Sequence, residues 1–177
     1  MRRILIYVAA VALAVGLSGA VTAASAATSN SGNSFEWAYL INVRQVCIGI
    51  AKNGDAHIYN CTYKGDQAWY RRGEIGHTGY YQLVNGKGKC LSVAGRGRAR
   101  GAQVIADKCL GTKHHEQYWH LDFLSMETYA CYVFNYKSTY VLEPDGIRVG
   151  SPIKQQPWKD HDIKQEWVFE INSGNTP

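Results

Sequence analysis

Gln67-Ala68-Trp69, Gln117-Tyr118-Trp119 and Gln165-Glu166-Trp167 are three copies of one short pattern, set 50 and 48 positions apart. Spacing of that size marks a structural module written several times in one chain. The copies extend upstream. The first runs Leu40-Ile41-Asn42, Cys47-Ile48-Gly49-Ile50, Cys61 and then its tryptophan; the second runs Leu83-Val84-Asn85, Cys90-Leu91-Ser92-Val93, Cys109 and then its own. Both place the first cysteine five residues after the asparagine, so register matches as well as composition. The third opens at Val133-Phe134-Asn135 and continues Val141-Leu142-Glu143-Pro144. Val141 stands in the place of the first cysteine and Trp158 near that of the second, so apolar packing is expected to replace a disulfide.

The composition, 46% hydrophobic and 19% charged over 177 residues, is that of one globular domain. Arg2-Arg3, the apolar run from Ile4 to Leu17 and Ala24-Ser25-Ala26 read as a secretory signal over residues 1–26, followed by a loose leader over 27–35. The apolar run is short for a bilayer span, so no membrane anchor is expected. Without Arg2 and Arg3 the net charge of +5 falls to about +3, too little to imply nucleic acid. Export makes disulfides durable. Equivalence of the first two units pairs Cys47 with Cys61 and Cys90 with Cys109, leaving Cys131 as a buried free thiol or an intermolecular link. No cysteine or histidine spacing suits a metal, and no cofactor is expected.

Short runs rich in Val, Ile, Tyr and Trp alternate with Gly, Asn and Asp clusters, and no window carries a sustained helical stripe. Strands are predicted over 37–43, 57–63, 68–71, 80–84, 119–123, 129–134 and 167–171. Many short strands in three related units (about 36–78, 79–127 and 128–171, with a tail at 172–177) predict an all-β fold closed into a threefold barrel. Trp69, Trp119 and Trp167 would then share one core, and the glutamines beside them would bind backbone or one another.

With three Gln-x-Trp units, each preceded by a Cys-Leu-x-Val-like segment, the chain resembles the ricin B-chain type lectins, which are β-trefoils, over about residues 36–171. The resemblance implies a non-catalytic carbohydrate-binding module with up to three shallow pockets. In that pattern an acid follows the Cys-Leu pair, an aromatic stands two residues before the second cysteine, and a polar pair opens the Gln-x-Trp segment. The first unit offers Tyr59 and Asp66-Gln67 but has Gly49 in place of the acid. The second has Ser92, Asp107 and Glu116-Gln117, which makes it the poorest match. The third keeps Glu143, with Gln155, Gln156, Trp158 and Lys164-Gln165 around it. Whether Trp158 turns to core or pocket is left open, the core being preferred. Candidate glycan contacts are therefore Tyr59, Asp66, Gln67, Glu143, Gln155, Gln156, Trp158 and Gln165.

Two other readings stand beside the lectin. Arg96, Arg98 and Arg100, in a glycine-spaced loop from Gly95 to Gly101, form either a solvated tip or a site for an anionic polymer. The altered positions at Gly49 and Ser92 also fit a trefoil that has lost its sugar sites and serves as a protein-binding module, an inhibitor or a subunit of a secreted complex. Glu143 and Asp145 do not read as the opposed carboxylates of a glycosidase, and no nucleophile triad has supporting context.

Overall fold

The computed structural model describes residues 36–42 and 44–171. The expected signal, leader and tail lie outside the described residues. Twelve strands follow in order: β1 Ala38–Asn42, β2 Val46–Ile50, β3 Ala56–Asn60, β4 Ala68–Arg72, β5 Tyr81–Asn85, β6 Lys89–Val93, β7 Val104–Lys108, β8 Tyr118–Ser125, β9 Ala130–Asn135, β10 Val141–Pro144, β11 Ile153–Gln156 and β12 Trp167–Ile171.

Six strands pair antiparallel in a ring: β1 with β4, β4 with β5, β5 with β8, β8 with β9, β9 with β12, and β12 back to β1. A closed ring leaves no unpaired edge in the barrel. The other six form three hairpins, β2–β3, β6–β7 and β10–β11. The hairpins meet in turn through single bridges, Asp55 with Ile105, Gln103 with Lys154 and His57 with Pro152. This is the β-trefoil.

Its centre is what one unit cannot enclose alone. Trp69, Trp119 and Trp167 are each 0% exposed and share one cluster with Leu40, Ile48, Ile58, Leu83, Leu91, Val133, Leu142 and Ile153. A buried indole N–H requires an acceptor. Each finds the same one: Trp69 Nε1 donates to Ile48 O at 3.4 Å, Trp119 Nε1 to Leu91 O at 2.9 Å and Trp167 Nε1 to Leu142 O at 3.1 Å.

The glutamine of each pattern is equally regular. Gln67 Oε1 accepts from Thr62 N at 2.7 Å, Gln117 Oε1 from Leu110 N at 2.8 Å and Gln165 Oε1 from Lys159 N at 2.8 Å. Their Nε2 groups donate to Asn60 O, Lys108 O and Pro157 O at 3.1, 2.9 and 2.9 Å. Each amide thus brackets the residue at the second-cysteine position, namely Cys61, Cys109 or Trp158. The motif repeats because a strand end and a hairpin end must be tied together three times.

The asparagines close the ring between units. Asn42 Nδ2 reaches Glu166 O at 2.9 Å, and Asn135 Nδ2 reaches Glu116 O at 3.0 Å. The seam between the first and second units differs. There Gly86 N donates to Gly65 O at 2.7 Å, and the buried Asn85 Nδ2 has no hydrogen-bond partner among the described residues. A Cβ on Gly86 would stand 2.7 Å from Gly65 Cα, so two backbones meet where the other seams use a side chain.

Both expected disulfides form, Cys47 to Cys61 and Cys90 to Cys109. Cys131 is a free thiol in the core; burial, with Asp122 adding to it, pushes its pKa up to about 12. In the third unit Val141 pairs with Gln156 as Cys47 pairs with Tyr59 and Cys90 with Asp107. That register puts Trp158 at the second-cysteine position. It does not turn inward, contrary to expectation: it is 47% exposed and stands edge-on to Tyr132 at 6.0 Å. The second-cysteine position lies outside the hairpin, and without a sulfur partner nothing draws the ring in.

Candidate functional site

The same register aligns three sites, each between its hairpin and its Gln-x-Trp turn. In the first unit, Ile50, Tyr59, Asn60, Thr62, Asp66 and Gln67 are among the residues lining a cavity of about 470 Å3, with Lys52 and Lys64 beside them. Tyr59 lies over Gly49. A Cβ built on Gly49 would come within 2.8 Å of Tyr59 Cδ2 and 3.2 Å of Gln67 Cγ. The missing acid is therefore coupled to the ring's position, because the ring covers the space an acid would occupy. The nearest carboxylate in the lining is Asp66, which makes no side-chain hydrogen bond or ion pair among the described residues. Gln67 contributes surface to the wall while its amide is held by Thr62 and Asn60.

The second site, the poorest on sequence, has a cavity of about 260 Å3 lined by Ser92, Arg96, Asp107, Glu116 and Gln117 among others. Glu116 is buried and meets basic side chains from three segments. His114 Nδ1 lies 3.2 Å away, Lys137 Nζ 3.4 Å and Arg96 Nε 3.7 Å. Burial pushes its pKa up, but its backbone hydrogen bond, His114 and Lys137 together bring it below the ordinary glutamate range. A depressed carboxylate contributes stability that is present above the ordinary range and lost as pH falls through the folded value. Glu116→Gln is therefore expected to flatten the dependence of the urea midpoint on pH between about pH 5 and 3; an unchanged slope would contradict the hub.

In the third site Glu143 is the retained acid, but its carboxylate is occupied. Gln165 Nε2 donates to Oε2 at 2.6 Å, Lys164 Nζ to Oε1 at 2.9 Å, and Lys159 Nζ lies 3.8 Å from Oε2. The Glu143 hydrogen bond holds Lys164 above the ordinary lysine range, against its burial. Gln165 is 0% exposed and spends its amide on Glu143, Pro157 and Lys159.

Gln155, expected beside this pocket, is also 0% exposed. It faces the other way, donating to Ala99 O at 2.8 Å and accepting from Ser138 Oγ at 2.6 Å. It lies opposite Leu142 in the ladder, and in a strand that puts it on the inner face. Gln156 accepts instead from Arg100 Nε at 3.3 Å. Of the eight candidate contacts, then, the structure gathers Tyr59, Asp66 and Gln67 around one cavity. It ties Glu143, Gln155, Gln156 and Gln165 into bonds with other side chains or backbone and leaves Trp158 on an outer face.

The arginine loop is not a free tip. Gln155 pins it through Gly97 O at 3.5 Å and Ala99 O, and Gly101 N donates to Gln155 O at 2.8 Å. Arg96 turns toward Glu116 and Arg100 toward Gln156. Sequence reading missed the roles of Asn60, Thr62, Lys52 and Lys64. The signal for the first two was adjacency to Cys61, the point the Gln67 amide brackets.

The profile of the ricin-type β-trefoil lectin domain family matches residues 79–176, more than half the chain. No curated protein sequence matches it. Among solved structures, a designed threefold symmetric protein, ThreeFoil, superposes with a TM-score of 0.67 at 20% identity, covering 76% of this chain and 97% of its own. The Macrolepiota procera ricin B-like lectin in complex with lactose gives 0.64 at 18%, covering 78% and 97%. An exo-beta-1,3-galactanase from Clostridium thermocellum gives 0.66 at 16%, covering 77% of this chain and 30% of the galactanase. At these identities the structural likeness concerns the fold, whereas the profile match concerns ancestry. With its triplicated Gln-x-Trp bracket and six-stranded ring, the chain belongs to the ricin-type β-trefoil lectin family.

Proposed function

We propose that this protein is an exported, non-catalytic lectin that binds glycans through its first unit. The observation that carries this reading is the cavity in which the Tyr59 ring and the unpaired carboxylate of Asp66 stand together. A sugar needs an aromatic surface for its apolar face and fixed acceptors for its hydroxyls. Tyr59 provides the first; Asp66, from the Gln-x-Trp turn rather than from β2, provides the second. Asn60 and Thr62 add polar edges. Family membership supports carbohydrate as the ligand class, and the two disulfides suit an oxidising compartment.

The test is a glycan array and titration calorimetry on wild type, Tyr59→Ala and Asp66→Ala. Each variant is expected to lose about tenfold in affinity, since a hydrogen bond to a charged group is worth about 1.5–3 kcal/mol and an aromatic contact about 0.5–1.5 kcal/mol beyond the area it buries. Gly49→Asp is expected to weaken binding rather than restore it, because its side chain would displace the Tyr59 ring. Tighter binding by Gly49→Asp would overturn the assignment of Asp66 as acceptor. Internal neutralisation of Glu116 and Glu143 favours a second role for the other two units as a protein-binding face. Stoichiometric co-purification of a partner that sugar does not displace would support that role.

A further inference from the structure

Beside the first-unit cavity lies a second, of about 280 Å3, at the seam between the first and second units. It is walled by Ile50, Ala51 and Lys52 from the β2–β3 tip, Asn85, Lys87 and Lys89 around the β5–β6 turn, and Ala106 of β7. Gly54 O accepts from Ala106 N at 2.8 Å, which fixes that tip against β7. Ile50, Ala51 and Lys52 belong to both cavities, so the two share a wall.

The charge here has no internal explanation. The third unit's Lys154, Lys159 and Lys164 each meet a carboxylate, as does Lys137. Lys52, Lys87 and Lys89 make no ion pair among the described residues, and neither does Lys108, which lies directly opposite Lys89 in the β6–β7 ladder. Like charges facing each other across a ladder are unfavourable. In the first unit the register position of Lys89 is held by Val46, which is buried. The second unit has exchanged an apolar wall for an ammonium aimed at an open cavity and kept it without a counter-ion.

We infer that this seam is an anionic subsite: it takes the acid group, carboxylate or sulfate ester, of a saccharide whose neighbouring residue occupies the Tyr59 cavity. The inference rests on the glycan reading above and names the class of glycan. Ammonium groups on flexible stems suit it, because they follow an anion as point charges without demanding one planar geometry. Lys52, common to both walls, would contact the linkage between the two sugar residues. Arg96 and Arg100 already meet Glu116 and Gln156, so the inference places the anion at the lysine seam rather than on the arginine loop.

The experiment uses the full chain at low salt with chondroitin sulfate oligosaccharides. Three modified forms accompany them: desulfated, carboxyl-reduced, and both. Wild type is expected to bind the native chains at least tenfold more tightly than the doubly modified ones, with the preference shrinking as salt rises. The single modifications show which acid group is read. Lys87→Gln/Lys89→Gln, at exposed positions, is expected to abolish the preference while leaving affinity for the doubly modified chain unchanged. Arg96→Gln/Arg98→Gln/Arg100→Gln is expected to keep it. Loss of preference in the arginine variant with retention in the lysine variant would overturn the subsite. Binding of neutral chain through Tyr59 with no preference for acid would also overturn it, leaving the lectin reading intact. Binding of acid chain that requires Lys87 and Lys89 but ignores Tyr59→Ala would uphold the anion site and sink the Tyr59 pocket.

Discussion

Trp119→Ala is expected to lower the free energy of unfolding by about 3–5 kcal/mol, a large fraction of the stability of a domain of this size. Trp119 has no exposed surface, and its indole N–H makes a 2.9 Å bond to Leu91 O. Truncation removes the buried ring, opens a cavity among Trp69, Trp167 and the leucines of all three units, and orphans a carbonyl. The surrounding ring of strands is closed, so collapse into the cavity is limited and the cost falls toward the upper part of that range. Trp158→Ala supplies the contrast. That ring is half exposed and stands edge-on to Tyr132, so its loss should stay within about 0.5–1 kcal/mol. Urea titrations followed by far-UV circular dichroism measure both. Equal losses for the two tryptophans would refute a common centre.

Reduction of the two disulfides is expected to cost about 3 kcal/mol each in the chain-entropy account, for sequence separations of 14 and 19 residues. Both bridges join the two ends of a hairpin within one unit, so each removes freedom from an unfolded segment that the barrel does not otherwise restrain. Cys131 offers no rival pairing in the native state, since its thiol is buried and held protonated. Peptide mapping of the oxidised chain should recover Cys47 with Cys61 and Cys90 with Cys109. A bridge between units would contradict the register, and a midpoint unmoved by reductant would contradict the energetic estimate.

The architecture was legible because each of its joints is a local bond made three times. An indole to a hairpin carbonyl, and an amide bracketing the second-cysteine position, leave the same residues at the same spacing in every copy. Tyr59 was legible for the same reason, from its offset to Cys61. The rest depends on what approaches from other units. Glu116 looked like a worn pocket residue, yet Lys137, 21 positions on, and Arg96, 20 positions back, turn it into a buried ion hub. Glu143 looked like the surviving acid, but Lys164 and Lys159 come from the turn that closes over it. No composition or spacing rule announces which lysine will meet a carboxylate. Trp158 was misjudged because an indole in a strand-rich chain suggests the interior, whereas it stands two residues past the end of β11, outside the hairpin, and is half exposed.

The seam at Gly65 and Gly86 constrains the descent of this chain differently from its energetics. At the other two seams an asparagine side chain makes the bridge, Asn42 at one and Asn135 at the other. Here the bridge depends on one missing side chain, with a Cβ on Gly86 meeting Gly65 Cα at 2.7 Å. Every amino-acid replacement at position 86 therefore pushes the two turns apart, whichever side chain it brings.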